Sequence, residues 1–355
     1  MYKIAVLPGD FIGPEVIDAS LAVLDAVAAQ TGLSFEYVRL PFGGNALESH
    51  GKPLPDETLA GFEGCNAVLM GAVGGPVGDH PWNRQPRELR VESGILGLRK
   101  HLGVFSNLRP VKVFEGLEHL SPLKEEVARG TDMLIIRELT GGIYFGKPSE
   151  VSADQGLSTM IYSRHEVERI ARVAFEAARV SGGKVTSVDK ANVLDVSQFW
   201  RDVVVGVHEQ HYSDVSLEHL YVDNAAMQLA SNPKQFDIVV TSNLFGDILS
   251  DLAAVIPGSL GVLPSASLGG NIGLFEPVHG SAPDIAGKGL ANPVGTMLSV
   301  AMMLRHGLDE HDAATMIEDA VQAALKDDPT GDLGGSRGTE AFTEAVIAAL
   351  AVPAV

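Results

Sequence analysis

The sequence predicts an α/β protein of two domains, built on parallel strands but without a Rossmann fingerprint. Three observations carry this. Short continuous apolar runs such as Ile4-Ala5-Val6-Leu7 alternate with amphipathic stretches, the pattern of strands covered on both faces by helices. The chain has 355 residues, which amounts to about two ordinary domains. The spacing G-x-G-x-x-G, which would follow the first strand of a Rossmann enzyme, occurs nowhere, and that strand runs instead into Gly9-Asp10-Phe11-Ile12-Gly13.

The elements follow in order. A helix succeeds the first strand, with Pro14 suited to its first turn and Val16, Leu21, Leu24 and Val27 among its apolar positions. Residues 67–70 form a second strand, which leads into the glycine loop 71–76. Residues 133–136 form a third and 237–240 a fourth. Ser163 and Glu166 form a capping box for a helix through Val167, Ile170, Ala174 and Ala177. Residues 325–337, rich in Gly, Asp and Pro, read as surface loop, and a last helix runs from Thr339 to Leu350. The uncharged stretch 252–275 is long enough to span a bilayer. Pro257, Gly258, Gly261, Pro264, Gly269, Gly270 and Gly273 interrupt it, so loops and a buried strand are expected. The first residues carry no signal-peptide pattern, and a cytoplasmic protein is expected.

Asp and Glu number 45 against 26 Lys and Arg, a net charge of −19. Such a chain repels nucleic acid and anionic membranes, so neither is expected as a partner. The single cysteine, Cys65, excludes an intrachain disulfide and a CxxC metal site. It precedes the apolar run Ala67-Val68-Leu69-Met70 and reads as a core residue.

Several segments carry groups able to do chemistry. Asp247 and Asp251 lie four residues apart, so a helix would put both carboxylates on one face. Two hard oxygen ligands suit Mg²⁺ or Mn²⁺, although such a pair is more often simply solvated. Lys190, in Ser187-Val188-Asp189-Lys190-Ala191-Asn192-Val193-Leu194, ends a strand-like run. Desolvated or near other cations it can act as a base; taken alone it reads as a surface lysine. Arg137 leaves a buried strand and is followed by Gly141-Gly142 and Tyr144. Strand ends of α/β folds bind ligands, so Arg137 would grip a carboxylate and Tyr144 pass a proton; the plain alternative is a hairpin with an exposed tyrosine. Arg99 and Arg109 flank residues 100–108 and with Arg137 would make a polyanion pocket if the fold brings them together. Residues 279–293 are dense in turn formers and lack periodicity, as functional loops do, and Asp284 there suits a ribose diol.

Together, in this order, these segments resemble the isocitrate/isopropylmalate family of β-decarboxylating dehydrogenases, which act on (2R,3S)-malate derivatives. The resemblance runs from Leu7-Pro8-Gly9-Asp10 to Asp332-Leu333-Gly334-Gly335 and the last helix. It is most specific at 137–146, 189–194, 243–252 and 276–293. It implies the family's two-domain α/β fold, which is not a Rossmann fold. Residues 1–104 with 258–355 would form the first domain, holding both termini and the cofactor loop. Residues 105–257 would be the inserted second domain, with the dimer interface, the catalytic lysine and the metal aspartates. The family forms homodimers with shared active sites.

Residue by residue, Arg99, Arg109 and Arg137 match the arginines that hold the malate carboxylates. Tyr144 matches the tyrosine that protonates the enol after CO₂ leaves. Lys190 matches the lysine that deprotonates the hydroxyl and comes from the partner subunit. Asp223, in Tyr221-Val222-Asp223-Asn224, matches the partner's metal aspartate beside the substrate, and Asp247 and Asp251 match those of the first subunit. Glu276, His279, Gly280, Ser281, Ala282, Asp284, Ile285 and Asn292 match the cofactor segment. Asp284 and Ile285 stand where NADP-using relatives carry a basic residue and an aromatic. An aspartate accepts from both ribose hydroxyls and repels a 2′-phosphate, so NAD is expected.

The resemblance assigns the substrate side chain to Glu92, Ile95, Leu96 and Val193, of which Ile95, Leu96 and Val193 make an apolar wall suited to an isopropyl group. The reaction implied is the NAD-dependent oxidative decarboxylation of 3-isopropylmalate in leucine biosynthesis, with Mg²⁺ or Mn²⁺. Rival members of the family act on D-malate, tartrate or homoisocitrate. The rival from another class, a two-domain solute-binding protein, would need export and would not need Lys190, Tyr144 and three aspartates. Two residues depart from the family. Phe11 stands where its first loop has glycine, which removes φ freedom, and Ile95 replaces a more usual leucine.

Overall fold

Ile4, Ala5, Val6 and Leu7 are fully buried, as a strand covered on both faces requires, and form the centre of β1 (Tyr2–Gly9). The computed structural model describes residues 1–76, 78 and 80–350. It divides into two compact units, Met1–Val104 with Ser259–Val355, and Phe105–Gly258. The later strands are β2 (Phe35–Arg39), β3 (Ala67–Ala72), β4 (Ser106–Lys112), β5 (Asp132–Glu138), β6 (Ser149–Val151), β7 (Gly156–Ser158), β8 (Val185–Asp189), β9 (Leu217–Tyr221), β10 (Ile238–Thr241), β11 (Pro264–Leu268) and β12 (Gly273–Pro277).

In the first unit the strand order is β2-β1-β3-β12-β11. β1 runs parallel to β2 and β3, and β12 parallel to β3, while β11 is antiparallel to β12. The second unit has the order β4-β5-β10-β8-β9. Its β4 is antiparallel to β5, and the other pairs are parallel. Each unit is therefore mostly parallel with one antiparallel pair, within the expected α/β fold. In the first unit the physical reason is connection length: residues 269–272 between β11 and β12 are too few for the crossover that a parallel pair needs.

Alternation along β5 and β10 separates the second unit's core into two layers. Ile136 and Val240 pack with Phe175, Trp200 and Val204. Ile135 and Val239 pack with Leu229, Phe236 and Leu249. The helix Arg164–Ser181 opens with the expected capping box, Ser163 Oγ accepting from the Glu166 N–H and the Glu166 carboxylate accepting from the Ser163 N–H. Cys65 is buried.

One boundary differs from expectation. The helix His311–Asp327 takes in Leu325, which is buried, so the loop begins at Asp328. Leu325 continues the apolar stripe of Ile317, Val321 and Ala324, and that packing outweighs the Gly- and Asp-rich sequence that follows. Within 252–275 lie the end of one helix, β11 and the start of β12. No described helix is long and apolar enough to cross a membrane.

Register places the functional segments. β10 lies between β5 and β8, with Thr241 opposite both Arg137 and Val188, and Asp189 lies opposite Tyr221 of β9. The residues that follow β5, β8, β9 and β10 thus emerge together at the carboxyl ends of parallel strands, where open α/β sheets bind ligands.

Candidate active site

Arg137 is the last residue but one of β5 and is almost completely buried. Its Nε and Nη2 donate to Asn243 Oδ1 at 3.1 and 2.8 Å, and Nη1 pairs with Asp247. Asp247 sits on the helix Asn243–Ala254. Gly246 lets that helix lie directly on the arginine, since a Cβ there would meet Arg137 Cγ at 2.6 Å. Tyr144 ends the short turn Gly142–Tyr144 and donates its hydroxyl to Asp247 Oδ2 at 2.7 Å. Burial, aided by Asp247, pushes the phenol up to about 12, so it keeps its proton at neutral pH. Arg109 Nη1 donates to Asp251 Oδ1 at 3.1 Å and to Ser250 Oγ at 2.7 Å, and its Nε donates to Asn107 at 2.8 Å. Two arginines are thus paired with the two aspartates of one helix face.

Lys190 follows β8 directly, and its Nζ donates to Asp223 Oδ1 at 2.7 Å. The lysine holds the Asp223 carboxyl below its ordinary range. Asp189, buried at the end of β8, accepts from Arg201 Nε and Nη2 at 2.8 and 2.9 Å and from the Ala191 N–H at 2.9 Å, which fixes the turn around the lysine. Val193 stands exposed beyond it. Among the described residues no three His, Cys, Asp or Glu side chains gather as a metal-binding set.

In the first unit, Glu92, Ile95, Leu96 and Arg99 lie on the helix Val91–Leu102, where their spacing puts them on one face. Arg99 Nη2 donates to Glu276 Oε1 at 3.0 Å, and its Nε is buried without a partner. Glu276 lies in β12. In the loop beyond it, His279 has a buried Nε2 with no partner, and burial pushes its imidazole down. Gly280 is exposed. Ser281 Oγ donates to Gly74 O at 2.8 Å. Ala282 is left-handed at φ 40, and Asp284 and Ile285 lie in the turn Pro283–Ile285. Asn292 Nδ2 donates to Asp332 at 3.0 Å.

Asp10 joins these loops. Fully buried, its carboxylate accepts from the N–H groups of Gly44, Asn45 and Gly74 at 2.9, 2.8 and 3.0 Å. Burial raises its carboxyl above the ordinary range against those three donors. Two residues on, Ile12 N–H donates to Ser281 O at 3.1 Å. Between them Phe11 keeps a left-handed backbone, φ 50, despite its side chain. Its ring lies 5.6 Å from that of Trp82.

Sequence reasoning gave no role to Asp189, Arg201, Glu138 or Asn243. Glu138 is buried and accepts from the Thr140 and Gly141 N–H groups at 3.1 and 2.7 Å, bracing the turn before Tyr144. An acid ending a buried apolar run demands compensation, and that signal was present at both Glu138 and Asp189.

This fold and these groups belong to a known class. The chain is a member of the isocitrate/isopropylmalate dehydrogenase family, whose family model matches residues 3–346. It is 54% identical to the 3-isopropylmalate dehydrogenase of Deinococcus radiodurans over 99% of this chain and 98% of that one. It is 52% identical to the protein of the same name from Chlorobium chlorochromatii, over 98% of this chain and 99% of that one. Among solved structures, isocitrate dehydrogenase from Methylococcus capsulatus matches with a TM-score of 0.85 at 36% identity, over 99% of both chains.

Proposed function

We propose that the protein catalyses the NAD-dependent oxidative decarboxylation of (2R,3S)-3-isopropylmalate to 4-methyl-2-oxopentanoate and CO₂, in leucine biosynthesis, as a homodimer using Mg²⁺ or Mn²⁺. The observation that carries the reading is the Arg137–Asp247–Tyr144 group, in a chain more than half identical, nearly end to end, to proteins named for that reaction.

The residues fit the groups the reaction needs. Asp247 and Asp251 offer hard oxygen donors one helical turn apart, their side chains 34% and 70% exposed, and Asp223 would complete the set. His279, with its unpartnered Nε2, and the exposed Asp284 suit a dinucleotide whose ribose bears free hydroxyls. A bound divalent cation would polarise the C2 oxygen of the substrate, and bound NAD would accept the hydride. The chain's own groups supply the rest. Arg99, Arg109 and Arg137 grip the malate carboxylates, for which a guanidinium fork is suited. Lys190 Nζ takes the hydroxyl proton. Tyr144 Oη, a neutral phenol at pH 7, delivers a proton to carbon after CO₂ has left.

Lys190 and Asp223 are assigned to the active site of a partner subunit. That Asp223 does not gather with Asp247 and Asp251 into a metal-binding set among the described residues supports this, and so do the exposed apolar side chains of the second unit, Val193, Met227, Ile248 and Val255, of the kind found at interfaces. The cofactor loop is assigned to the first unit. Ile95 and Leu96, both half-buried, face the isopropyl group. Apolar walls discriminate by only about 1–3 kcal/mol per methylene, so slower turnover of other alkylmalates is expected.

The test follows NADH formation with 3-isopropylmalate, NAD and Mg²⁺, against D-malate, tartrate, isocitrate and homoisocitrate, with and without EDTA. Metal-dependent turnover mainly on 3-isopropylmalate is expected. A folded protein that binds NAD yet turns over a different member of the panel, or none, overturns the proposal.

A further inference from the structure

Asn243 opens the helix that bears Asp247 and Asp251, and its side chain is almost completely buried. A primary amide has two acceptor sites and two donor hydrogens, and here all four are used. Oδ1 accepts from Arg137 Nε and Nη2 at 3.1 and 2.8 Å. Nδ2 donates to Leu139 O at 2.9 Å and Gly141 O at 3.1 Å. The Asn243 N–H donates to the Tyr162 hydroxyl at 2.8 Å. The amide orientation is forced, because a guanidinium only donates and a backbone carbonyl only accepts.

One side chain therefore ties three parts together. It fixes the edge of Arg137 formed by Nε and Nη2, which leaves Nη1 to meet Asp247. It anchors the backbone just before the turn that ends in Tyr144. It belongs to the helix that carries both aspartates, and Gly246 presses that same helix onto Arg137. No other natural side chain of this length both accepts a guanidinium fork and donates to two carbonyls.

We propose that Asn243 is a positioning residue that sets Arg137, the Tyr144 turn and the metal-type aspartates in mutual register. The reaction named for it rests on the proposed function above, whereas the positioning itself does not. Asn243→Asp keeps the acceptors for Arg137 but sets a carboxylate against two carbonyl oxygens. It separates the two halves of the role. Asn243→Ser is too short for either.

In Asn243→Asp, kcat is expected to fall about tenfold or more, because Tyr144 is misplaced, while KM for 3-isopropylmalate stays within about threefold. In Asn243→Ser, KM rises about tenfold as well, as Arg137 is released. Hydrogen exchange gives a readout independent of substrate. The amides of Gly142 and Gly146, bonded to Ile161 O and Gly142 O at 3.1 and 2.9 Å, should exchange about tenfold faster in Asn243→Asp, with the helix Arg164–Ser181 unchanged. The proposal is overturned if both variants keep wild-type kinetics and exchange. It is equally overturned if exchange quickens evenly across the second unit and activity follows the folded fraction, since that is a purely structural loss. If the wild type ignores 3-isopropylmalate, the substrate reading falls, and the exchange pattern alone decides the positioning.

Discussion

Phe11 sets two effects against each other, and two substitutions separate them. Its ring is half-buried against Trp82, in a cluster with Leu47 and Val91. Full burial of a phenylalanine contributes about 1.5–3 kcal/mol, so half-burial gives about 1–1.5 kcal/mol, and the ring pair adds about 0.5–1.5 kcal/mol. Either truncation forfeits about 1.5–3 kcal/mol in total. A side chain in the left-handed region costs about 1–2 kcal/mol, which Phe11→Gly recovers and Phe11→Ala does not. The looser unfolded chain of the glycine variant offsets about 0.4–1 kcal/mol of that gain. Phe11→Gly is therefore expected to lose about 1–2 kcal/mol, and Phe11→Ala about 0.5–1 kcal/mol more. The chain has two tryptophans, so in a Trp200→Phe background urea unfolding read by fluorescence reports Trp82 and hence the first unit. A glycine variant more stable than its parent, or an alanine variant no worse than the glycine one, would refute the reasoning.

Three further outcomes are expected. Lys190→Met and Asp247→Asn should each lower turnover by about 10²–10⁴. Unfolded together and refolded at equal amounts, they should regain about a quarter of wild-type activity, because half the dimers are mixed and each mixed dimer has one intact site; no recovery would place the whole site in one chain. Asp284→Ser should cost about tenfold in kcat/KM with NAD and raise use of NADP, and a wild type that prefers NADP in a kinetic comparison would sink the assignment. Asp214, held down to about 2 by the Arg179 guanidinium first and a backbone N–H second, should show that value in a carboxyl NMR titration and rise toward the ordinary range in Arg179→Ala. Because its folded value lies below the unfolded one, its contribution is complete above the unfolded carboxyl range and is lost as pH falls through about 2. A normal titration of Asp214 in the wild type would contradict this.

Features written in neighbouring residues were legible in the sequence. The Ser163–Glu166 box, the apolar centre of β1 and the shared face of Asp247 and Asp251 all follow from local spacing, and the structure contains them. Features that depend on pairing distant segments were not. That Arg137 meets Asp247 and Arg109 meets Asp251 depends on β10 lying beside β5 with Thr241 opposite Arg137, and on β4 lying beside β5 with Arg109 opposite Ile135, registers no single segment encodes. The sequence marks Phe11 as a loss of φ freedom, yet the backbone holds its left-handed turn and the ring finds Trp82. Asn243 lies within the segment 243–252 but shows no role there, because an amide declares its role only when the four groups around it are in place.

The interrupted first unit also dictates an order of birth. β3 lies between β1 and β12, with Leu69 opposite Phe275. At ribosomal speeds of about 5–20 residues per second, β3 waits about 10–40 s for that neighbour. The continuous stretch Phe105–Gly258 leaves the ribosome whole within that interval and is free to fold first. β1 and β3 meanwhile present an apolar, unclosed sheet edge to the cell, the kind of surface that chaperones hold and that aggregation exploits. Pulse proteolysis of nascent chains stalled where Gly258 has cleared the ribosomal exit tunnel and β12 is still inside it should find the second unit protected and the first still open.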